Sequence, residues 1–409
     1  MTKGRGIMKK LNVTNEQKML FNLIGHNLFS MPLEIIDNVD WNVVIKESIA
    51  QSLPLVAFKN YRELPIDEET ASRLHLTLKK YATSNINGYK AHEYLHNLMA
   101  KNQVQYCIIK GVASAFRYPD PLLRSMGDVD FYVPAEYIDK AKEIFLADGF
   151  TFDTHDHAFH IGMVKGTLRF EMHYAPISSP DGEIGEIFTE YWSDICQSAR
   201  LTRDIFSEYF LPSDFHHGFI LLTHLREHMV KSGVGLRHVC DWAVFVNSFS
   251  NERFTEMFEV RLKRVGLWRF AQIVSLISVI LFGMPYKAWM GDDYDTAAAL
   301  AEDIYTAGNF GRREKNRDFE SVFVLDGKSA KNKSALARAF ATANTIVLRH
   351  WSSAKKYPIL YPIGWVYFSL RFLFNRLTGK HDVNLAKSYQ KGKKRTELYN
   401  SLKIFETED

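Results

Sequence analysis

The sequence predicts an α+β fold in which a small mixed sheet lies between two helical regions. Apolar residues recur at helical spacing through residues 14–100 and again from residue 214 onward, which indicates helices with one buried face. Between them, residues 104–174 contain short apolar or alternating runs bounded by Gly and Pro, which is typical of strands. The middle of the chain is therefore expected to carry the sheet.

The predicted elements run from helices to strands and back to helices. Asn15 is expected to cap the first helix, and two separate amphipathic helices follow over residues 71–82 and 86–102. Strands are predicted over residues 104–109, 128–133, 150–153, 158–164 and 167–174, with helices between them over residues 111–118 and 135–148. Asp214 is expected to cap a helix over residues 215–230, and later helices are predicted over residues 236–248, 252–265 and 268–282.

These elements divide the chain into four predicted regions. They are an N-terminal helical region (1–100), an α/β domain (101–212), a helical domain (213–318) and a basic, aromatic-rich C-terminal region (319–409). The basic segment over residues 309–317 is predicted to be a loop before the last region. A chain of 409 residues can hold two or three domains with a large core.

Composition indicates an ordinary folded protein of a reducing compartment. Hydrophobic residues make up 46% of the chain and charged residues 24%, which argues against disorder. The three cysteines, Cys107, Cys196 and Cys240, are widely separated, so no disulfide framework is expected and a cytoplasmic location is predicted. No signal segment follows the first basic residues, and the apolar runs at 270–286 and 357–370 are shorter than the roughly 20 residues of a membrane-spanning helix.

The C-terminal region concentrates positive charge. Residues 327–409 hold 16 Lys and Arg against 5 Asp and Glu, beside several aromatic residues. The favoured interpretation is a solvated basic helix face around an aromatic core. Weak contact with an anionic membrane surface is the second interpretation, and contact with nucleic acid is the third.

Three carboxylates on two predicted strands form the candidate site. Asp128 and Asp130 begin one strand, where alternation places both on one face, and Glu171 lies on a similar face of a later strand. Carboxylates held side by side repel each other unless cations lie between them. The set suits a pair of hard divalent cations, most simply Mg²⁺. Upstream, Lys110-Gly111 predicts a turn that can approach a phosphate closely.

The order of these motifs resembles the nucleotidyltransferase superfamily that includes DNA polymerase beta. Its pattern is a strand, a Gly-containing turn, a helix, Asp-x-Asp on the next strand and a third carboxylate on a later one. More narrowly, Lys110-Gly111, Arg124-x-x-Gly-Asp-x-Asp and Phe170-Glu-x-His are similar to a family of uncharacterised bacterial nucleotidyltransferases that often accompanies polysaccharide biosynthesis. The resemblance extends over roughly residues 80–315, since His224-Leu-Arg-Glu-His and Gly235-Leu-Arg also fit.

The resemblance implies a polymerase-beta-like domain that uses two metal ions. Asp128 and Asp130 would bridge two Mg²⁺ (or Mn²⁺) ions. Glu171 would complete the metal site on the nucleophile side and help to deprotonate the acceptor. The expected catalytic residues and the expected metal ligands are therefore the same three carboxylates.

Nucleotide binding is expected from groups around the turn. The superfamily has Gly-Ser there, and this chain has Gly111-Val112, so another group must replace the serine hydroxyl. Arg124 can neutralise phosphate charge, or it can form a salt bridge with Asp120. His173 can orient the third carboxylate or touch the acceptor. The residues expected to bind the nucleotide or cofactor are Lys110, Gly111, Ser114, Arg124, His173 and Arg237.

One group of histidines lies near the third carboxylate. His155, His157 and His160 precede the strand that carries His173. A transition-metal site can be drawn from them, but no closed ligand spacing is present. Roles for His160 and His173 in lining the site are the better interpretation.

A second group lies on the helix predicted after Asp214. His224 and His228 belong to an H-x-x-E-H sequence, which is also the inverted zinc-protease signature. No distal ligand helix is identifiable, so a metallopeptidase is disfavoured. These histidines are expected to line the cleft opposite the sheet, together with Arg237 and Asp241, which alternatively form a helix salt bridge.

The predicted function is transfer of a nucleoside monophosphate from an NTP, such as ATP, to an unidentified hydroxyl acceptor. A glycan-related acceptor is weakly favoured by the resemblance alone. One alternative is a non-catalytic nucleotide-binding regulatory module on the same fold, which the missing serine favours and the carboxylates oppose. Another is a toxin-type enzyme that modifies tRNA or protein, which strong salt-dependent RNA binding would support.

Overall fold

Helices dominate both ends of the chain, and a five-stranded sheet lies between them in sequence. The computed structural model describes residues 11–153, 159–175, 179–180, 182–231, 233–307, 343–344, 346–348, 351–377, 385–404 and 406. The α+β prediction with a small mixed sheet and helical flanks is confirmed.

Four helices precede the sheet. They are α1 (Asn15–Phe29), α2 (Trp41–Ala50), the one-turn α3 (Pro54–Ala57) and α4 (Glu68–Lys101). Thr14, not Asn15, is the N-cap of α1: its side chain accepts from the Gln17 backbone N–H, and the Gln17 side chain accepts from the Thr14 backbone N–H. This reciprocal pair satisfies two N–H groups that the helix leaves open, which explains the one-residue difference from the prediction.

Helix α4 is a single 34-residue helix where the sequence predicts two. The predicted break at residues 83–85 contains Asn85, and Gly88 follows within the second predicted helix; contacts with a distant loop explain both residues. A Cβ at Gly88 would lie 2.8 Å from the Met126 Cβ, so only glycine lets the loop come this close. The buried Asn85 side chain hydrogen-bonds the same loop, so these residues reflect tertiary packing and not a helix end.

The sheet has the strand order β1-β2-β5-β4-β3. Its strands are β1 (Cys107–Ile108), β2 (Val129–Tyr132), β3 (Thr151–Phe152), β4 (His160–Lys165) and β5 (Leu168–His173). β2 and β5 are parallel, and the other neighbours are antiparallel. Phe131, Phe145 and Phe170 are buried beneath the sheet and contact one another through their rings. This apolar layer leaves the opposite face of β2 and β5 for polar side chains.

Short elements complete the central region. They are α5 (Val112–Ala115), α6 (Ile138–Ala147), α7 (Glu183–Trp192) and the hairpin strands β6 (Arg200–Arg203) and β7 (Glu208–Leu211). The hairpin is absent from the sequence prediction. Its turn is held by Asp204, whose carboxylate accepts from the backbone N–H groups of Phe206 and Ser207, and this side-chain turn lacks the Asn-Gly or Asp-Gly signal of common hairpins.

From residue 214 onward, the described residues are mainly helical, and the helices predicted over residues 215–282 are present. The helices are α8 (Asp214–Lys231), α9 (Leu236–Asn247), α10 (Asn251–Arg264), α11 (Trp268–Phe282), α12 (Tyr294–Ala307), α13 (Leu360–Leu377) and α14 (Leu385–Ser401). Within the described part of the chain, no helix is both long and apolar enough to cross a membrane.

The two helical ends share one hydrophobic core. The rings of Phe21 and Phe282 lie 6.3 Å apart, and a Cβ at Gly25 would meet the Phe282 backbone. From α14, Tyr399 donates to the Met229 carbonyl oxygen, and Leu402 is fully buried. The four-region division stays a prediction; the proposed loop at 309–317 and the boundary at 318 fall outside the described ranges.

Candidate active site

Asp130 and Glu171 occupy paired positions on the parallel strands at the middle of the sheet. In the register of β2 and β5, Asp130 lies beside Glu171 and Tyr132 beside His173. Asp128 precedes β2 by one residue and is exposed, while Asp130 is buried. The alternation of side chains places Asp128 on the face that carries Asp130. Asp130 and Glu171 are therefore neighbours across the two strands, and Asp128 lies close enough for both charges to raise its pKa; a shared role as metal ligands stays a prediction.

The buried Asp130 carboxylate has two cationic neighbours. Lys110 Nζ lies 2.6 Å from Asp130 Oδ1, and His173 Nε2 lies 3.2 Å from the same oxygen. Burial alone would raise the pKa of Asp130, but the Lys110 charge and the His173 hydrogen bond outweigh it and hold the pKa well below its usual range. Asp130 therefore stays ionised at neutral pH.

The other two carboxylates lack this degree of compensation. Desolvation in the cleft, followed by the negative charges of Glu171 and Asp130, raises the pKa of Asp128. Glu171 Oε2 lies 3.6 Å from His173 Nε2 and 4.0 Å from His160 Nε2. The repulsion felt by Asp128 is what a bound divalent cation would relieve, so the donor set fits a hard metal ion.

The turn after β1 requires glycine for two reasons. Gly111 has φ +59°, a conformation that L side chains rarely adopt, and a Cβ there would lie 2.6 Å from His92 Nε2. His92 is fully buried on α4, and its Nδ1–H donates to the Gly88 carbonyl oxygen at 2.8 Å. Burial lowers the pKa of His92 to about 4. The neutral imidazole therefore supports the turn from below.

The loop before Asp128 is clamped from two sides. Asn85 donates to the carbonyl oxygens of Leu122 and Arg124, and its Oδ1 accepts from the Met126 backbone N–H. From the other side, the Arg124 guanidinium forms two 2.9 Å hydrogen bonds with both carboxylate oxygens of Asp241 on α9. The clamp joins α4, the loop and the helical domain behind the carboxylates.

Arg124 has a different ion-pair partner from Asp120, the partner considered from the sequence. Arg124 pairs with Asp241, not with Asp120, and both side chains are about 95% buried. Tyr118 also donates to Asp241, at 2.8 Å. The Asp120 side chain instead accepts from the Leu122 backbone N–H. Arg124 is thus placed to position the loop, and its role at a phosphate stays a prediction.

Ser114 is buried just after the turn, and Arg237 is half-buried on α9. Ser114 is 1% exposed in the first turns after Gly111, and its hydroxyl has no hydrogen-bond partner among the residues that the structure describes. Arg237 donates to the Ser125 carbonyl oxygen at 3.3 Å, so it contacts the loop that leads to Asp128. The assignment of Ser114 and Arg237 as nucleotide-binding residues stays a prediction.

Of the first histidine group, His160 and His173 meet in the structure. Their rings lie 5.0 Å apart on paired positions of β4 and β5. Burial would lower the pKa of His173, but hydrogen bonds to Asp130 and Glu171 reverse the effect and raise it. His155 and His157 lie outside the described residues.

The second histidine group gains a member that the sequence interpretation missed. His224 and His228 on α8 meet His238 on α9, with ligand atoms all within 4.8 Å of one another. A Gly-containing turn (233–235) folds α9 back onto α8. In the sequence, the i, i+4 histidine pair followed by this turn is the signal that could have indicated a contact with His238. Burial, reinforced by nearby positive charges, holds the pKa of His224 and His238 well below the usual histidine range.

The comparisons with known proteins agree with the motif assignment. The family model described as an uncharacterised nucleotidyltransferase matches residues 37–283, more than half of the 409 residues. No significant match was found among curated proteins or among solved structures. The match supports nucleotidyl transfer as the general activity, and it confirms the resemblance stated from the Lys-Gly turn and the Asp-x-Asp strand. The chain belongs to a family of uncharacterised nucleotidyltransferases.

Proposed function

We propose that the protein transfers a nucleoside monophosphate from an NTP to a hydroxyl acceptor and uses Asp128, Asp130 and Glu171 to hold divalent cations. The observation that carries this proposal is the register of β2 and β5, which pairs Asp130 with Glu171 beside Asp128. Carboxylate oxygens are the ligands that Mg²⁺ and Mn²⁺ prefer. When bound, such ions stabilise the negative charge that develops on the attacking and leaving oxygens.

Lys110 and the Gly111 turn supply the phosphate side of the proposal. Lys110 neutralises Asp130, with Nζ 2.6 Å from Oδ1. A cation at the carboxylates would release this lysine, whose flexible stem could then follow the turn toward a triphosphate. Gly111 permits the tight turn that packs on His92, and this turn would present its backbone amides to phosphate oxygens.

Glu171 is the proposed proton acceptor. It is about one-third exposed, whereas Asp130 is engaged by Lys110 and His173. The acceptor oxygen would form a bond to the α-phosphorus as the bond to the pyrophosphate oxygen breaks, and the hydroxyl proton would pass to Glu171. His173, close to both carboxylates, would hold Glu171 in place. A glycan-related hydroxyl is the preferred acceptor class, on the basis of the family resemblance alone.

The test is label transfer from each α-labelled NTP to a cell extract in the presence of Mg²⁺ or Mn²⁺. The Asp128→Asn/Asp130→Asn variant should lose transfer and pyrophosphate release. Asp139→Asn is the control, because Asp139 is 95% exposed on α6 and the change removes a carboxylate charge on another element. NTP binding without turnover in any extract would favour a regulatory module, and absence of metal-dependent NTP binding would refute the proposal.

A further inference from the structure

We infer that His224, His228 and His238 form a site for a divalent transition metal, with Zn²⁺ as the preferred ion. The three ligand atoms come from two helices and lie within 4.8 Å of one another. Tetrahedral zinc with Zn–N distances of about 2.0–2.1 Å needs nitrogens roughly 3.4 Å apart, which small changes of side-chain torsion can reach. The ligands of this site are other residues than the three carboxylates, and the inference does not depend on the proposed function.

The helical framework prepares this geometry. His224 and His228 are one turn apart on α8, and their ring centroids lie 4.3 Å apart. His238 approaches from the first turn of α9, with its ring 5.8 Å and 5.5 Å from the other two. Residues at i and i+4 share a helix face, so His224 and His228 can offer two ligand atoms to the same ion, and His238 supplies the third.

The surroundings permit a cation despite nearby basic groups. Among the basic groups that lower the histidine pKa values, Lys110 and Arg124 form ion pairs with Asp130 and Asp241, and Arg237 donates to the Ser125 carbonyl oxygen. His238 is buried, while His224 and His228 are partly exposed, so an ion has a route from solvent. Three imidazoles leave one tetrahedral position for water or a phosphate oxygen.

The donor set also selects the metal. Imidazole nitrogens suit Zn²⁺, Cu²⁺, Ni²⁺ and Co²⁺, whereas Mg²⁺ prefers oxygen ligands. Excess Mg²⁺ should therefore occupy the carboxylates without displacing zinc from the histidines. Because His160, Glu171 and His173 also offer ligand atoms within 4.8 Å of one another, the variants, and not Mg²⁺ alone, separate the two sites.

The experiment measures Zn²⁺ binding by full-length, tag-free protein in excess Mg²⁺, and the absorption spectrum of the Co²⁺-loaded protein. We expect one tightly bound Zn²⁺ per chain and the intense visible bands of tetrahedral Co²⁺. His238→Ala and His228→Asn should each weaken Zn²⁺ binding by at least about tenfold, since loss of a ligand costs no less than loss of a supporting residue. His75→Ala, an exposed histidine on α4, is the control.

The carboxylate variant Asp128→Asn/Asp130→Asn distinguishes this inference from the proposed function. Zn²⁺ binding that survives in this variant and is lost in His238→Ala supports the histidine site even if no nucleotidyl transfer is found. Zn²⁺ binding that depends on the carboxylates, or a Co²⁺ spectrum typical of octahedral coordination, would overturn it. Circular dichroism of His228→Asn, whose side chain is partly exposed, shows whether the variant remains folded.

A different observation carries a second proposal, that α13 docks onto an anionic lipid surface. Ile363, Val366 and Leu370 are 53%, 62% and 61% exposed, and Ile359 just before the helix is 73% exposed. Their spacing of four, three and four residues places them along one side of a helix. On the opposite side, Phe368 packs on Trp351, with ring centroids 5.3 Å apart.

Charge complementarity selects the occupant of this apolar stripe. The stripe belongs to the segment with 16 Lys and Arg against 5 Asp and Glu. An amphipathic helix with basic flanks lies in the interface of a membrane that contains anionic lipids. Trp351 contacts the rings of Tyr367 and Phe368, which agrees with aromatic packing in this segment. A helix face of solvated basic residues alone would not present the exposed apolar stripe.

Vesicle co-sedimentation tests the docking. The full chain should bind vesicles of phosphatidylcholine with phosphatidylglycerol, bind phosphatidylcholine alone weakly, and dissociate as salt rises. Ile363→Asp/Val366→Asp should weaken binding by about tenfold or more, because it adds negative charge and removes apolar area. Leu76→Asp on α4 is the matched control, since Leu76 is 67% exposed. Equal binding by both variants, or binding to RNA in place of vesicles, would refute it.

Discussion

The buried ion pair between Arg124 and Asp241 should stabilise the molecule far more than any exposed ion pair. Two hydrogen bonds of 2.9 Å join the side chains, which are only 6% and 5% exposed. Removal of one partner leaves the other charge buried and unpaired, which costs about 3–5 kcal/mol. Arg124→Ala should therefore lower the free energy of unfolding by this amount, a large share of the roughly 5–15 kcal/mol that folded domains possess.

Urea unfolding, followed by circular dichroism and tryptophan fluorescence, measures the effect. Arg253→Ala is the control, because its pair with Glu256 is exposed and should shift the midpoint little or not at all. The double variant Arg124→Met/Asp241→Leu should recover part of the loss, since no charge then stays unpaired. If Arg124→Ala unfolds at the same midpoint as Arg253→Ala, the pair is not structural and the reasoning fails.

Three further predictions concern the same region. Gly111→Ala should lower the free energy of unfolding by about 2–4 kcal/mol in urea unfolding, because the positive φ and the contact with His92 are both unfavourable for a side chain; an unchanged midpoint would contradict this. Asn85→Ala should lower the free energy of unfolding by about 2–4 kcal/mol, because it removes three hydrogen bonds of a buried side chain. It should also raise KM for the NTP by loosening the loop before Asp128; unchanged stability and KM would contradict this. The raised pKa of Asp128 means that protons compete with metal at a higher pH than for an ordinary aspartate, so Mn²⁺ affinity by electron paramagnetic resonance should fall as pH falls through that pKa. Asp130, whose pKa is lowered, stays ionised over this range, and Asp128→Asn should flatten the profile; an equally steep profile in that variant would assign the titration to another group.

The fold class and the carboxylates could be predicted from the sequence because both depend on local periodicity. Alternation along β2 and β5 determines which side chains of each strand share a face, whereas the parallel pairing that places Asp130 beside Glu171 belongs to the tertiary structure. Helix patterns over residues 236–248 and 268–282 agree with α9 and α11 within one residue. Gly111 was also recognisable, since glycine in a turn between a strand and a helix indicates a close approach.

The partners of buried polar groups could not be predicted in this way. Asn85 resembled a helix break, yet it holds a loop about forty residues away along the chain. Arg124 had a near candidate in Asp120 but pairs with Asp241 on another helix. His238 joins His224 only because the chain reverses between α8 and α9. Periodicity in the sequence indicates which face of a helix or strand is buried. The partner of a buried charge depends instead on packing between elements that are distant in sequence, so only the tertiary structure decides it.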